Sequence, residues 1–356
     1  MKKEIKISLI IIGVLVLAGI IIFVSYNLIQ KENSEVENQS PVVIPSAIES
    51  NCIGFVIGAP EEMQLINEIG GAWARPHPGP FAWQWIESQK GNFDFSQTDE
   101  YVLEAQKNNI AILGTIWPYA DWDQSSCHDS SCEVTEQDIF YPKNKLGFNE
   151  GIPASRCIPC SFADYDAFLT KLIERYDGDG VEDMPDLEIP IKYWEVLNEP
   201  EMKGEDMTFF KGTSEEYAEI LKNTEETIKT ECSDCKVLHG GMAGTAQYMQ
   251  NYWKDIFSTS TDFDIANIHY IRGDDLATLN VNEFKSFLGE NNINTQIWVT
   301  EAEYNSDNEI ENSVAGALNA GASKIFFTQF KVGQFGLPPN GEYSPSLKNI
   351  NSKCPN

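Results

Sequence analysis

The sequence predicts a single (β/α)8 barrel preceded by an N-terminal transmembrane helix. Eight short apolar runs recur between residues 52 and 330, and segments with helical spacing separate them. Strands covered on both faces read as near-continuous apolar runs, and their alternation with helices is typical of a parallel barrel. A doubly wound open sheet is the alternative, but no G-x-G-x-x-G fingerprint supports it.

The predicted strands are all short enough for a barrel. They lie at residues 52–58, 71–76, 110–117, 191–198, 236–243, 263–271, 296–304 and 324–330. Between them, apolar side chains fall three and four apart, as at Tyr165, Phe168 and Leu172. Thr213 and Ser214, followed by glutamates, predict the start of another helix.

The first thirty residues form a separate unit. Lys2, Lys3 and Lys6 precede an uncharged run over residues 7–30. This run is long for a signal-peptide core and suits a membrane-spanning helix, so a signal anchor is favoured over a cleaved signal peptide. The lysines favour the cytoplasm, which places the rest outside the cell. The predicted domains are the anchor (1–30), a linker (31–45) and the barrel domain (46–356).

Charge excludes one class of partner. The chain has 25 basic and 54 acidic residues, for a formal net charge of −29. Such a chain repels phosphate backbones, so nucleic-acid binding is not expected.

Eight cysteines in an exported chain favour disulfides. The close pairs are 127/132, 157/160 and 232/235, which leaves Cys52 and Cys354 at the two ends. Zinc held by thiolates is the alternative. Four of the cysteines lie in the long connection 118–161, which leaves the C-terminal end of the third strand. Because that end is the catalytic face of such barrels, the connection is predicted to form a wall of a substrate cleft.

Carboxylates end two opposed strands. YWEVLNEPE places Glu199 at the end of the fourth strand, and WVTEAEY places Glu301 and Glu303 at the end of the seventh. Two carboxylates facing each other are what retaining glycoside hydrolysis requires, one as nucleophile and the other as acid/base. Glu195, one layer deeper, is interpreted as an ion-pair partner, with Arg75 as its candidate. Glu301 is preferred over Glu303 as nucleophile.

These motifs resemble clan A of the glycoside hydrolases, the "4/7" superfamily. WEVLNEP, WVTE and GAWARPHPGPFAWQW carry the likeness, which is nearest to the xylosidase/iduronidase-type (family 39-like) barrels and covers most of residues 52–330. The resemblance implies an O-glycosyl hydrolase (EC 3.2.1.-) that acts on β-linked glycosides or polysaccharide.

The resemblance also implies roles for individual residues. Glu199 becomes the acid/base and Glu301 the nucleophile of a two-glutamate double displacement. Asn198, Arg75 and His269 become substrate-site residues. The group's H-x-Y pattern is broken here, because Ile271 stands where a tyrosine is expected. Tyr304 is a candidate replacement.

Aromatic side chains near strand ends suggest sugar contacts. Trp117 and Trp122 are predicted to stack on sugar rings, with burial in the core as the alternative for both. No cofactor is expected for catalysis. The segment YDGDGVED offers Asp177, Asp179 and Asp183 around Gly180, a pattern compatible with structural Ca²⁺. A solvated acidic turn is the other interpretation.

The predicted function is that of a membrane-anchored, extracellular retaining glycoside hydrolase with a carbohydrate substrate. A carbohydrate-binding barrel without turnover is one alternative. A transglycosylase using the same residues is another, because a sugar hydroxyl can replace water.

Overall fold

Eight parallel strands close into a barrel in the computed structural model, which describes residues 40–134, 152–204, 207–271, 275–304, 306–334, 338 and 341–355. Each strand pairs with its neighbours in chain order, and the first pairs with the last. The strands are β1 (Ile53–Ile57), β2 (Trp73–Pro76), β3 (Ala111–Ile116), β4 (Tyr193–Val196), β5 (Lys236–His239), β6 (Ile265–Ile271), β7 (Gln296–Glu303) and β8 (Ala322–Phe327).

Helices connect the strands on the outside of the barrel. They are α1 (Ser46–Glu49), α2 (Met63–Ile69), α3 (Trp83–Ile86), α4 (Ser96–Lys107), α5 (Asp121–Cys127), α6 (Phe162–Tyr176), α7 (Ser214–Glu231), α8 (Gln247–Thr259), α9 (Val281–Glu290) and α10 (Asp307–Ala320). Short 3-10 turns lie at Pro60–Glu62, Ser130–Cys132, Pro345–Leu347 and Ile350–Lys353, and a two-stranded hairpin follows β4 at Lys203–Gly204 and Met207–Thr208.

The predicted barrel is confirmed, and each predicted strand overlaps an observed one. The fifth strand is shorter than expected: it ends at His239, and Gly240 begins a loop. The predicted anchor (1–30) and the linker up to residue 39 lie outside the described residues. Within the described ranges, no helix combines the length and apolarity needed to cross a membrane.

The barrel interior is divided into two layers of different chemistry. Strand alternation places side chains two residues apart on the same face, one above the other. We call the lower layer the aromatic cluster; it contains Trp73, Tyr193, Trp298 and Phe326. We call the layer above it, toward the C-terminal ends of the strands, the polar layer; it contains Arg75, Thr115, Glu195, Asn267 and Thr300.

Four disulfides brace the fold, and within the described residues no cysteine is free. Cys52–Cys354 joins the two ends of the domain, and Cys232–Cys235 closes a short turn. In the long connection the close pairs 127/132 and 157/160 do not form. Instead Cys127 bonds Cys160, and Cys132 bonds Cys157, so α5 is tied to the segment that enters α6. Disulfides are therefore formed rather than a four-thiolate zinc site.

Candidate active site

Arg75, at the end of β2, organises the floor of the barrel mouth. Its guanidinium is fully buried and bonds three acceptors, one on β4, one just after β4 and one on β7. Nε donates to Glu195 Oε2 at 2.7 Å, Nη1 to Glu301 Oε1 at 2.8 Å and Nη2 to Asn198 Oδ1 at 2.6 Å. Burial alone would lower the pKa of Arg75, but the two carboxylates outweigh it and raise the pKa. The predicted ion pair between Arg75 and Glu195 is thus confirmed.

The end of β4 leaves extended geometry so that two consecutive residues serve the site. Leu197 has a backbone φ of 69° and Glu199 has a φ of 40°, values that residues other than glycine rarely adopt. In an extended strand Asn198 and Glu199 would point to opposite faces. Here Asn198 reaches Arg75 and Glu199 reaches His269. This strained turn explains how both residues of the Asn-Glu pair enter the mouth.

A β-bulge in β7 likewise turns two consecutive side chains toward the site. Ile268 is opposite Val299, but the next residue, His269, is opposite Glu301, so Thr300 is the extra residue. Thr300 bonds inward to Asn267 at 2.5 Å, while Glu301 bonds inward to Arg75. Regular alternation would have sent one of these two side chains outward. The bulge therefore brings an anchoring hydroxyl and a carboxylate to the same face.

A chain of hydrogen bonds connects Glu199 to the polar layer. His269 Nδ1 lies 2.6 Å from Glu199 Oε1, and His269 Nε2 lies 3.0 Å from Thr300 Oγ1. The Thr300 hydroxyl donates to Asn267, and the Asn267 amide in turn donates to Glu195. Because the Thr300 proton is used toward Asn267, Nε2 of His269 must carry the proton that joins it to Thr300. Nδ1 of His269 is then the acceptor that faces Glu199.

The pKa values agree with this assignment. Burial raises the pKa of Glu199 to about 8, with Glu195 adding to the rise and Arg75 opposing it. Burial lowers the pKa of His269 to about 4. At neutral pH Glu199 is therefore a protonated carboxylic acid and His269 a neutral imidazole. A carboxylic acid held above its usual pKa is what a general acid requires.

Glu301 has a different environment from Glu199. Burial raises its pKa too, but His269 and the Arg75 guanidinium oppose that rise. Its side chain keeps 14% of its accessible surface, whereas that of Glu199 keeps 3%. The ion pair with Arg75 favours the ionised form of Glu301.

The two carboxylates are close. One oxygen of Glu199, one of Glu301 and a ring nitrogen of His269 all lie within 4.8 Å of one another. Carboxyl groups of retaining glycosidases lie about 5–5.5 Å apart, and those of inverting enzymes about 6.5–9.5 Å. Such a triad is also compact enough to ligate a cation, but the Arg75 guanidinium already pairs with Glu301.

The two tryptophans predicted to stack on sugar rings pack against other aromatic side chains. Trp117 is fully buried, packs against His77 and Phe209, and donates its Nε1–H to Pro78, so its ring is not exposed for stacking. Trp122 packs edge-on against Trp83 on the helical layer.

Tyr304 does not reach Glu301. Its hydroxyl lies beside Ser313 of α10, and its ring packs on Phe327. Glu303, the competing carboxylate, lies 3.5 Å from Gln329 at the end of β8 rather than at Arg75. Within the described residues, Glu301 is the carboxylate of β7 that contacts both Arg75 and His269.

Several site residues were not singled out from the sequence. Thr115, Asn267 and Thr300 hold Glu195 and His269, and each falls on an inward position of its strand. Polar residues at such positions in apolar strands were the available signal for the first two. Glu201 was also missed as a buried group: its Oε1 accepts the Ala243 N–H at 2.6 Å, and burial raises its pKa to about 8.

The predicted calcium ligands come together in the turn after α6. Asp177, Asp179 and Asp183 each offer an oxygen within 4.8 Å of the others. Backbone N–H groups also bond these carboxylates: Asp183 accepts from Gly178 and Gly180, and Asp179 from Val181. The turn is therefore stabilised by its own backbone, and calcium binding stays a prediction.

Residues 177–327 match the model of the glycosyl hydrolase catalytic core, a span that contains Glu199, His269 and Glu301. The resemblance to glycoside hydrolases is therefore confirmed. The sequence has no match among curated proteins.

Solved glycoside hydrolases share the barrel. A family 39 glycoside hydrolase from Bacteroides cellulosilyticus WH2 is 15% identical with a TM-score of 0.54, covering 86% of this chain and 64% of that chain. A glucosidase from Croceicoccus marinus is 14% identical with a TM-score of 0.56, covering 83% and 63%. An endo-1,4-β-mannanase from Rhizomucor miehei is 12% identical with a TM-score of 0.54, covering 85% and 94%.

These likenesses establish the fold. The chain spans less than two thirds of the length of the first two glycoside hydrolases.

Proposed function

We propose that this protein is a retaining glycoside hydrolase that cleaves β-linked glycosides or polysaccharide through Glu199 and Glu301. The observation that carries the proposal is the carboxylate pair within 4.8 Å, one member held protonated by burial and the other paired with Arg75. The match to the glycosyl hydrolase catalytic core supports the reaction class.

In the first step Glu301 attacks the anomeric carbon as Glu199 gives its proton to the departing glycosidic oxygen. Arg75 keeps Glu301 ionised before the attack. Asn198, which precedes Glu199 in the chain and is held by Arg75, is suited to bond a sugar hydroxyl.

In the second step Glu199 acts as a base. Once Glu301 is esterified to the sugar, its negative charge is gone, and the pKa of Glu199 falls because one fewer like charge opposes its ionisation. Ionised Glu199 then takes a proton from water, which attacks the anomeric carbon and releases Glu301. Before the first step, the neutral imidazole of His269 holds the Glu199 carboxyl in place by accepting its proton at Nδ1.

The pH dependence follows from these assignments. The first step needs protonated Glu199 and ionised Glu301. We expect kcat/KM to fall as pH rises through about 8, the pKa of Glu199. On the acid side it falls as Glu301 becomes protonated, at a pH above the usual range of a glutamate.

We also propose that the barrel acts outside the cell, tethered by residues 1–30. Lysines before the uncharged run and the four disulfides of the barrel domain support this placement, because disulfides persist in oxidising compartments.

The test is release of reducing sugar from a panel of β-glycans and aryl β-glycosides by the wild type and Glu301→Ala. We expect the wild type to cleave at least one substrate and the variant to lose at least about a thousandfold. Binding without cleavage by the wild type would instead indicate a carbohydrate-binding barrel. Sugar transfer that outpaces hydrolysis would indicate a transglycosylase.

A further inference from the structure

One exposed aromatic side chain lies on the mouth side of the barrel. In the described ranges, the large hydrophobic side chains with substantial exposure are Val43, Leu103, Val181 and Tyr248. Val43 precedes α1, Leu103 is on α4, and Val181 is in the turn before β4, which enters the barrel from below. Tyr248, 59% exposed, lies in the first turn of α8, which begins at the C-terminal end of the barrel after β5.

The loop that leads into α8, and so to Tyr248, is fixed against His269 and Glu201 beside the catalytic pair. Met242 donates its N–H to Asn267 and accepts from the His269 N–H, which extends the sheet beyond β5. The Ala243 N–H donates to Glu201, two residues after Glu199. A Cβ at Gly241 would lie 1.9 Å from His269 Nε2, so this backbone can pass the imidazole only as glycine. Tyr248 is thus held on a rigid support.

The hydroxyl of Tyr248 is within electrostatic reach of Glu199. Its pKa is raised, first by partial burial and then by the carboxylates of Glu201 and Glu199. The strand that leads to α8, β5, pairs with β4, which ends just before Glu199, and is two strands away from β7, which carries Glu301. The ring is therefore on the acid/base side of the carboxylate pair rather than on the nucleophile side.

This side has a defined chemical meaning. The acid/base protonates the oxygen that departs with the leaving group, so the leaving-group sugar lies next to it. Exposed aromatic faces suit the apolar C–H surface of a sugar ring, and an aromatic ring costs little conformational entropy to hold in place.

We propose that Tyr248 is the stacking platform for the leaving-group sugar, which makes a β-linked oligosaccharide or polysaccharide, rather than a glycoside with a small leaving group, the preferred substrate class. This rests on the proposed function of the Glu199–Glu301 pair. Tyr248 is then a specificity-determining residue that binds the sugar on the acid/base side.

The experiment compares two substrates of the same glycosyl unit. One is a β-linked oligosaccharide cleaved by the wild type, and the other is the corresponding β-glycosyl fluoride, whose leaving group is a single atom. The measured quantity is the ratio of kcat/KM for the oligosaccharide to kcat/KM for the fluoride. Tyr248→Ala should lower this ratio by about two- to twelvefold, the fold-change that corresponds to one aromatic contact of about 0.5–1.5 kcal/mol.

Two further variants sharpen the result. Tyr248→Phe keeps the ring and should recover most of the lost ratio, whereas a hydroxyl role would leave it low. Leu103→Ala, an exposed apolar truncation on α4, should not change the ratio.

The outcomes separate the two proposals. An unchanged ratio in Tyr248→Ala, with an active wild type, overturns the platform and leaves the carboxylate mechanism intact. A wild type that cleaves neither substrate overturns the proposed function and the platform with it.

Discussion

The aromatic cluster and the polar layer lie two residues apart on the same strands of the barrel, but their side chains interact in different ways. Trp73 and Arg75 are neighbours on β2, as Tyr193 and Glu195 are on β4. Below, rings pack on one another, with Trp73 and Trp298 centroids 5.7 Å apart. Above, nearly every side chain is a hydrogen-bond donor or acceptor that converges on Glu195.

This contrast shows how one barrel can hold buried charges and remain stable. A buried ion pair is weakly stabilising at best, because desolvation offsets the attraction. The aromatic cluster contributes apolar burial without such a cost. We therefore expect changes in the lower layer to act on stability and changes in the upper layer to act first on chemistry.

The largest effect is expected from a substitution of the carboxylate that Arg75 of the polar layer binds. Glu301→Gln keeps the shape of the side chain but removes the proposed nucleophile, so kcat should fall at least about a thousandfold in steady-state assays. The matched control is Glu303→Gln, on the same strand but bonded to Gln329. A larger loss in the Glu303 variant would reverse the assignment of the nucleophile.

The second-largest effect is expected from a substitution in the aromatic cluster. Trp73→Ala leaves a cavity among Tyr193, Trp298 and Phe326 and should lower the free energy of unfolding by about 3–5 kcal/mol in urea titrations. The pH profile of the remaining activity should match the wild type, because the polar layer is untouched. A shifted profile would show that the two layers are not separable.

A smaller effect is expected where the polar layer meets the acid. Thr300→Val removes the acceptor of His269 and the donor to Asn267, at a cost of about 1–3 kcal/mol. With His269 no longer fixed, protonated Glu199 loses its acceptor, so the alkaline limb of kcat/KM should move to lower pH. Lost stability with an unmoved limb would mean that His269 does not act through Thr300.

The last effect is spread over several pH units and concerns the pH dependence of stability. The pKa of Glu199 rises from 4.5 to about 8 on folding, so the folded state holds this proton more tightly. That contribution to stability is complete below pH 4.5 and is lost as pH rises through 8, by up to about 1.4 kcal/mol per pH unit. Glu199→Gln should lack this loss when urea titrations are compared at several pH values. Parallel pH dependence in both proteins would contradict a raised pKa.

The fold was predictable because each strand is an apolar run with its own turn signals. The predicted opposition of Glu199 and Glu301 followed from strand order alone. Side-chain direction at the strand ends was not predictable by alternation, because Leu197 and Glu199 adopt positive φ and β7 bulges at Thr300. Both departures become evident only when the neighbouring strands are in place.

Pairing across the chain was also beyond local spacing. Nearness in sequence suggested the pairs 127/132 and 157/160, whereas the path of the connection brings Cys127 to Cys160 and Cys132 to Cys157. Trp117 shows the same limit. A tryptophan at a strand end can face the cleft or the core, and here the packing of His77 and Phe209 encloses it.

The stereochemistry of the first product is the most direct test of a retaining mechanism through Glu199 and Glu301. Proton NMR of a β-glycoside during early hydrolysis distinguishes the anomers before they interconvert. Carboxylate oxygens within 4.8 Å predict that the β anomer appears first, with net retention through a Glu301 adduct. Initial appearance of the α anomer would show inversion and contradict the assignment of Glu301 as nucleophile.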